Sequence, residues 1–254
     1  MIQLILTTLL CLTIHLFSTP EKRLHICTVA SHQHQALDIL RKSVLDQGLA
    51  LEVSGMNEFY PNHFYKIYRM RAYLETLPKQ DIVLFIDARN SFLLGNEEEI
   101  LHRYESFKKP CVFSAEKRLS PKNPLQGLNI RYPLGNTSFQ FLNSGGYIAN
   151  VTFVKMMLEE MIANRYTIPL SRYRQLKSDQ MACHRFFAQN QAMVEIDRQN
   201  KMFLTLTDVE EHELDIDLNT KSITVKETGN TPLVIHGNGQ GKSLYQKLVQ
   251  YYFN

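Results

Sequence analysis

Four short stretches hold the residues that could do chemistry. In DIVLFIDARN (81–90), five apolar residues from Ile82 to Ile86 run into Asp87, with Asn90 three positions on. A carboxylate there is either a turn residue closing a buried strand or an oxygen ligand for a hard cation at the rim of a sheet. In VIHGNGQGK (234–242), an apolar run gives way to His236, three alternating glycines and Lys242. Glycine lets backbone N–H groups approach a ligand closely, and a lysine at a helix start suits a diphosphate. The same spacing also fits a flexible loop with an incidental histidine. It is neither the dinucleotide-binding glycine pattern nor a P-loop. FLNSGGYIAN (141–150) gathers Asn143, Ser144, Gly145 and Gly146 and reads as a turn entering a strand. In SDQ, Ser178 is a good N-cap and Asp179 complements the helix dipole, which alone explains both residues structurally.

These pieces need a scaffold. LHICTVA (24–30), ALEVSG, DIVLFID and CVFSAE read as strands. Between them lie helical patterns: HQALDILRKSVLDQG, with Leu37, Leu40, Val44 and Leu45 on one face and Gly48 ending it; YKIYRMRAYLETL, through Ile67, Met70 and Leu74; and NEEEILHRYESF. Strand and helix alternate, which predicts a parallel sheet covered by helices. Ligands bind beyond the carboxyl ends of such strands. Thr28 and Asp87 both stand there. The second half predicts helices in TFVKMMLEEMIAN, KSDQMACHRFFAQ and SLYQKLVQYYF, short strands in VEIDRQ and MFLTL, and a hairpin arm in SITVKE. No low-complexity linker divides the chain, so one domain is expected.

Composition narrows the function classes. The chain has 254 residues, 44% hydrophobic and 21% charged, with net charge +3 and no basic run. Nucleic-acid binding has no support from charge. Residues 1–17 carry no charged side chain; residues 1–21 are expected to be a signal peptide or a signal anchor that could tether the chain to a membrane, the alternative being an extra buried segment, with the globular domain spanning 22–254. Cys11 lies in that segment. Cys27 and Cys111 read as buried small residues, and no Cys/His metal spacing occurs. Asn136 and Asn150 open Asn-x-Ser/Thr acceptors.

Taken in order, TVA, D-x-x-N, SAE, LNSGG, S-D-Q and IHGNG-x-x-K resemble the glycosyltransferase domain of the lysyl hydroxylases (procollagen-lysine 2-oxoglutarate 5-dioxygenases). The likeness spans roughly residues 24–252. It implies a GT-A fold, an α/β single domain with a mixed, mostly parallel sheet, and a UDP-sugar donor with Mn2+. By the same resemblance, Asp87, Asn90 and His236 form the metal site. Thr28 lies near the uridine, Lys66 matches a family lysine, and Asn238, Gly239 and Lys242 match the phosphate loop. Asn143 and Asp179 line the sugar side as catalytic candidates, with Ser144, Gly145 and Gly146 beside them.

The residue types suit that chemistry on their own. A nucleoside diphosphate leaving group gathers negative charge, which a divalent ion on hard oxygens stabilises. A lysine adds a point charge on the same oxygens, and Asp179 could orient the sugar or act as base. Three departures stand out. Asn90 replaces a second carboxylate, the glycines that precede the family lysine are missing before Lys66, and RYRQLK replaces a run of acidic residues upstream of Asp179. The chain shows no HxD iron-ligand pair, so a stand-alone glycosyltransferase is expected. UDP-glucose or UDP-galactose is the implied donor, and hydroxylysine or galactosyl-hydroxylysine the implied acceptor. The alternatives are transfer to a surface glycan or lipopolysaccharide, and an inactive sugar-nucleotide-binding domain. The implied location is the secretory pathway or the exterior: the endoplasmic reticulum lumen, or the periplasm of a bacterium.

Overall fold

The computed structural model describes residues 22–122, 132–165 and 177–253. The apolar leader and most of RYRQLK lie outside the described residues. The strands are β1 (Leu24–Val29), β2 (Leu51–Ser54), β3 (Ile82–Ile86), β4 (Ser91–Leu93), β5 (Cys111–Glu116), β6 (Phe141–Asn150), β7 (Val194–Ile196), β8 (Phe203–Thr205), β9 (Leu214–Asp217), β10 (Ser222–Val225) and β11 (Val234–His236). The helices are α1 (Gln35–Asp46), α2 (Tyr65–Leu74), α3 (Glu97–Ser106), α4 (Val151–Arg165), α5 (Asp179–Gln189) and α6 (Lys242–Phe253).

Six strands form the main sheet, in the order β2-β1-β3-β6-β5-β7. Five run parallel to one another, and β6 is antiparallel to both neighbours. Because side chains alternate along a strand, β3 serves two cores. Val83 and Phe85 face α2, α4 and α5, among Met70, Leu74, Met157 and Phe186. Ile82, Leu84 and Ile86 face α1 and α3, among Leu40, Val44 and Ile100. A strand buried on both sides must be apolar throughout, as IVLFI is.

Local chemistry sets the helix starts. Asn96 and Glu99 form a reciprocal capping box at α3. The His34 ring accepts the Leu37 N–H at α1, and the Ser178 hydroxyl accepts the Met181 N–H at α5. The expected helices and strands are present, with two corrections. Leu45 is 69% exposed. At about 100° per residue it turns away from Val44, and Ser43 takes the buried place instead. FLNSGG is no turn: all of it belongs to the ten-residue β6. Its pairing with β5 shifts register between Phe113 and Ser114, a bulge that absorbs the glycines.

A second sheet, β4-β11-β8, crosses one end of the first. Periodicity did not reveal β4, which has only three residues. Its register sets Ser91 opposite His236, and His236 opposite Thr205. The end of the chain is thereby laid beside Asp87 and Asn90. No helix among the described residues is long and apolar enough to cross a membrane.

Candidate active site

A cavity of about 500 Å³ opens at the carboxyl ends of β1 and β3. Asp87, Asn90, His236, Lys66 and Lys242 all line it. Sequence positions spread over 177 residues (66 to 242) therefore converge on one space. The loop after β1 supplies Ser31, His32 and His34, and the loop before α2 supplies Tyr60, Asn62 and His63.

Lys66 is the electrostatic centre. It is buried, on the same stripe of α2 as Met70 and Leu74. Its ammonium bonds Asp87 Oδ2 at 2.8 Å and Asp179 Oδ2 at 2.6 Å. Burial pushes its pKa down, but Asp179 and Asp87 together hold it well above the ordinary lysine value. Burial pushes Asp87 up, and Lys66, His236 and the Arg89 N–H more than reverse this. Asp87 thus stays ionised, well below the usual carboxylate range. One cation against two carboxylates leaves this trio with a formal charge of −1.

His236 completes the arrangement. Burial holds its imidazole below the ordinary histidine range despite the pull of Asp87. Its ring is neutral, and its buried Nδ1 has no hydrogen-bond partner. A buried orphan of this kind calls for an explanation, and a metal ion supplies one. Gly145 makes room for the ring: a Cβ there would lie 2.2 Å from His236 Cε1 and 2.3 Å from Nδ1. Asn90 adopts φ 56°, a left-handed conformation that asparagine tolerates, and its carbonyl accepts the Gly237 N–H at 2.7 Å. Among the described residues no three His, Cys, Asp or Glu side chains gather as a metal cluster. Asn90 lines the same cavity as Asp87 and His236.

The other predicted residues stand behind the cavity wall. The buried Thr28 hydroxyl lacks a hydrogen-bond partner. Asp179 accepts the Ser144 hydroxyl at 3.2 Å, and the Asp87 N–H donates to Gly145 O at 2.8 Å. Gly146 packs against Phe203, whose ring a Cβ would meet at 2.8 Å. Asn143 and Asn238 do not line the cavity; their amides donate to Glu116 Oε2 at 3.0 and 2.7 Å. Gly239, at φ 51°, sits where a Cβ would meet Thr207 Oγ1 at 2.7 Å. Of the glycine-rich stretch from 237 to 242, only Lys242 reaches the cavity.

Comparison with known proteins gives the family and the fold. The family model for the PLOD GT domain matches residues 20–254. The chain belongs to the PLOD GT domain family. The human multifunctional procollagen lysine hydroxylase and glycosyltransferase LH3 is 26% identical over 175 residues, covering 67% of this chain and 22% of LH3. Chicken procollagen-lysine,2-oxoglutarate 5-dioxygenase 1 is 23% identical over 252 residues, covering 92% and 32%. The chain spans about a fifth to a third of the length of these relatives. In structure it is similar to a glycosyltransferase involved in glycosylation of the major capsid of PBCV-1, with TM-score 0.55, 10% identity, and coverage of 89% and 98%. The fold is GT-A-like, and this PLOD GT domain is a glycosyltransferase domain.

Sequence reasoning missed Glu116 and Gln180, although both ended quoted motifs. It also missed the histidine and tyrosine rim. Glu116 carried the same signal as Asp87, a carboxylate closing an apolar strand. The rim residues come from irregular loops, whose sequence shows no period to read.

Proposed function

We propose that this domain transfers a hexose from a UDP-sugar, UDP-glucose or UDP-galactose, to a hydroxyl acceptor. The observation that carries this reading is the juxtaposition of Asp87, Asn90 and the unpartnered His236 Nδ1 on one cavity with two lysines. Asp87, the Asn90 amide oxygen and His236 would hold Mn2+. When bound, the ion neutralises the charge that the departing diphosphate gathers. Lys242, at the N-terminus of α6, contacts the phosphates as a point charge. Lys66 keeps Asp87 ionised and bridges it to Asp179. Asp179, steadied by Ser144, orients the sugar or takes the acceptor proton. Thr28 and Asn143 shape the uridine and sugar sides from behind the wall. Family membership points to hydroxylysine or galactosyl-hydroxylysine of a collagen-like protein as acceptor. It also points to residues 1–21 as a targeting leader and to the secretory pathway as location.

One observation favours a second reading, a domain that binds sugar nucleotide without turnover. Asn90 brings no charge, and Lys66 already satisfies Asp87. A UDP-release screen across UDP-sugars, with and without Mn2+, separates the two. The expected result is Mn2+-dependent release from one hexose donor that disappears in Asp87→Ala. Mn2+-dependent UDP binding without release from any donor would establish the second reading.

A further inference from the structure

Glu116 lies outside the cavity, yet its carboxylate gathers three side-chain amides from three elements. Asn143 of β6 and Asn238 of the loop after β11 donate to Oε2 at 3.0 and 2.7 Å. Gln180 of α5 donates to Oε1 at 2.9 Å. Each of these residues is joined to the surroundings of His236 or Asp179. Asn143 Oδ1 accepts the Gly145 N–H at 2.8 Å, beside the His236 ring. Gln180 follows Asp179 in sequence, and its Oε1 accepts the Ser144 N–H at 2.5 Å. Asn238 stands two residues after His236, and its Oδ1 accepts the Thr207 N–H at 3.2 Å.

We propose that Glu116 is a positioning residue for sugar transfer, fixing Asp179 and His236 through the amides of Gln180, Asn143 and Asn238. The inference rests on the reading of the previous subsection. Only a carboxylate suits this place, because it accepts on both oxygens, whereas a glutamine would set its own NH2 against a neighbouring NH2. Burial pushes the Glu116 carboxyl up to about 7, against the pull of Asn143 and Asn238. Protonation would turn one oxygen into a donor and leave an amide unmatched. The charged groups that bear on it are Arg118 and Asp208, bonded to each other at 2.6 and 2.7 Å and opposite in effect. Burial holds His184, one turn along α5, down to about 4, and holds the Tyr132 phenol above its usual range, so both stay neutral near pH 7.

The test compares the full chain with Glu116→Gln by UDP release and by calorimetry of UDP with Mn2+. We expect kcat and UDP–Mn2+ affinity each to fall roughly tenfold or more, as for a lost hydrogen bond to a charged group. Wild-type kcat should rise with pH through about 7, and this rise should vanish in the variant. A folded Glu116→Gln that keeps its rate and its pH profile overturns the proposal. Should Glu116→Gln fail to fold, Gln180→Met cuts one arm at a half-buried helix position, and full turnover in it is equally fatal. A wild-type chain without UDP release defeats the transferase reading alone; the positioning role is then decided by the affinity comparison.

Discussion

At the scale of the residue, the site is a problem of charge. Asp87 faces Lys66 at 2.8 Å and shares that lysine with Asp179. At the proposed metal site, a cation beside Asp87 would meet one carboxylate, one neutral imidazole and the amide of Asn90. With so little negative charge, the ion should be held weakly until a diphosphate brings its own. Metal and nucleotide then bind with positive coupling, which linkage makes reciprocal. Asn90→Asp adds the missing charge, and aspartate also tolerates the positive φ found there. Mn2+ titrations with and without UDP should show tighter Mn2+ binding in the nucleotide-free variant and weaker coupling. Unchanged metal affinity would remove Asn90 from the ion. In the sequence Asp87 and His236 each close an apolar run at a strand end, whereas Asn90 was marked by its spacing from Asp87 and by the family resemblance. Lys66 was marked only by its match to a family lysine; its place on the buried Met70–Leu74 face of α2 emerged from the structure. Glu116 was overlooked because its partners come from three distant segments, and a hydrogen-bonded carboxylate has no periodicity.

At the scale of the element, β6 and α5 decide the geometry. The sequence showed that FLNSGGYIAN contained a strand but not that the glycines belong to it. Paired glycines commonly mark a turn, whereas here they let β6 pass beneath the His236 and Phe203 rings. Gly145→Ala would place a methyl group 2.2 Å from His236 Cε1. Overpacking of this kind costs about 1–3 kcal/mol. Thermal melts should show that loss, and calorimetry should show Mn2+ binding reduced further than the melt predicts, since the displaced ring is a proposed ligand. On α5, His184 accepts from the Tyr132 hydroxyl at 3.0 Å, and its other nitrogen donates to Ser120 O at 2.9 Å. Tyr132 in turn accepts the Leu142 N–H at 2.7 Å. This relay requires a neutral imidazole. The folded-state pKa of about 4 lies below the ordinary histidine value of 6.5, so His184 contributes stability that is full above 6.5 and lost as pH falls through 4. The size is on the order of 2–3 kcal/mol. Urea midpoints measured from pH 7 to pH 4 should fall less steeply in His184→Gln than in the wild type. Parallel slopes would show that His184 is not the acid-sensitive group.

At the scale of the whole molecule, two sheets share one site. Alternation of strand and helix predicted the parallel part of the main sheet. The GT-A resemblance implied a mixed sheet, but not that β6 is its antiparallel strand, and the three-stranded β4-β11-β8 sheet was not foreseen, because these strands pair across long stretches of sequence. β1 begins at Leu24, and its Leu24–Ile82 register with β3 closes the sheet at that end. A chain starting at Lys22 should therefore fold and stay in solution, as circular dichroism and gel filtration would show. Aggregation of the shortened chain, with the full chain staying soluble, would place residues 1–21 within the core.

The pairing of Ser91 with His236 has a consequence in time as well as in space. The strands β2, β1 and β3 can align as soon as residues 24–86 have left the ribosome. β4 then waits while about 140 further residues are made before β11 arrives to meet it. Contacts so distant in sequence close slowly, because the loop entropy is lost before they form. The approach of His236 to Asp87 and Asn90 is therefore among the last contacts of this domain to form. A nascent chain carries Asp87 through the making of about 150 further residues with no His236 beside it, and the proposed metal site can assemble only after β11 has emerged.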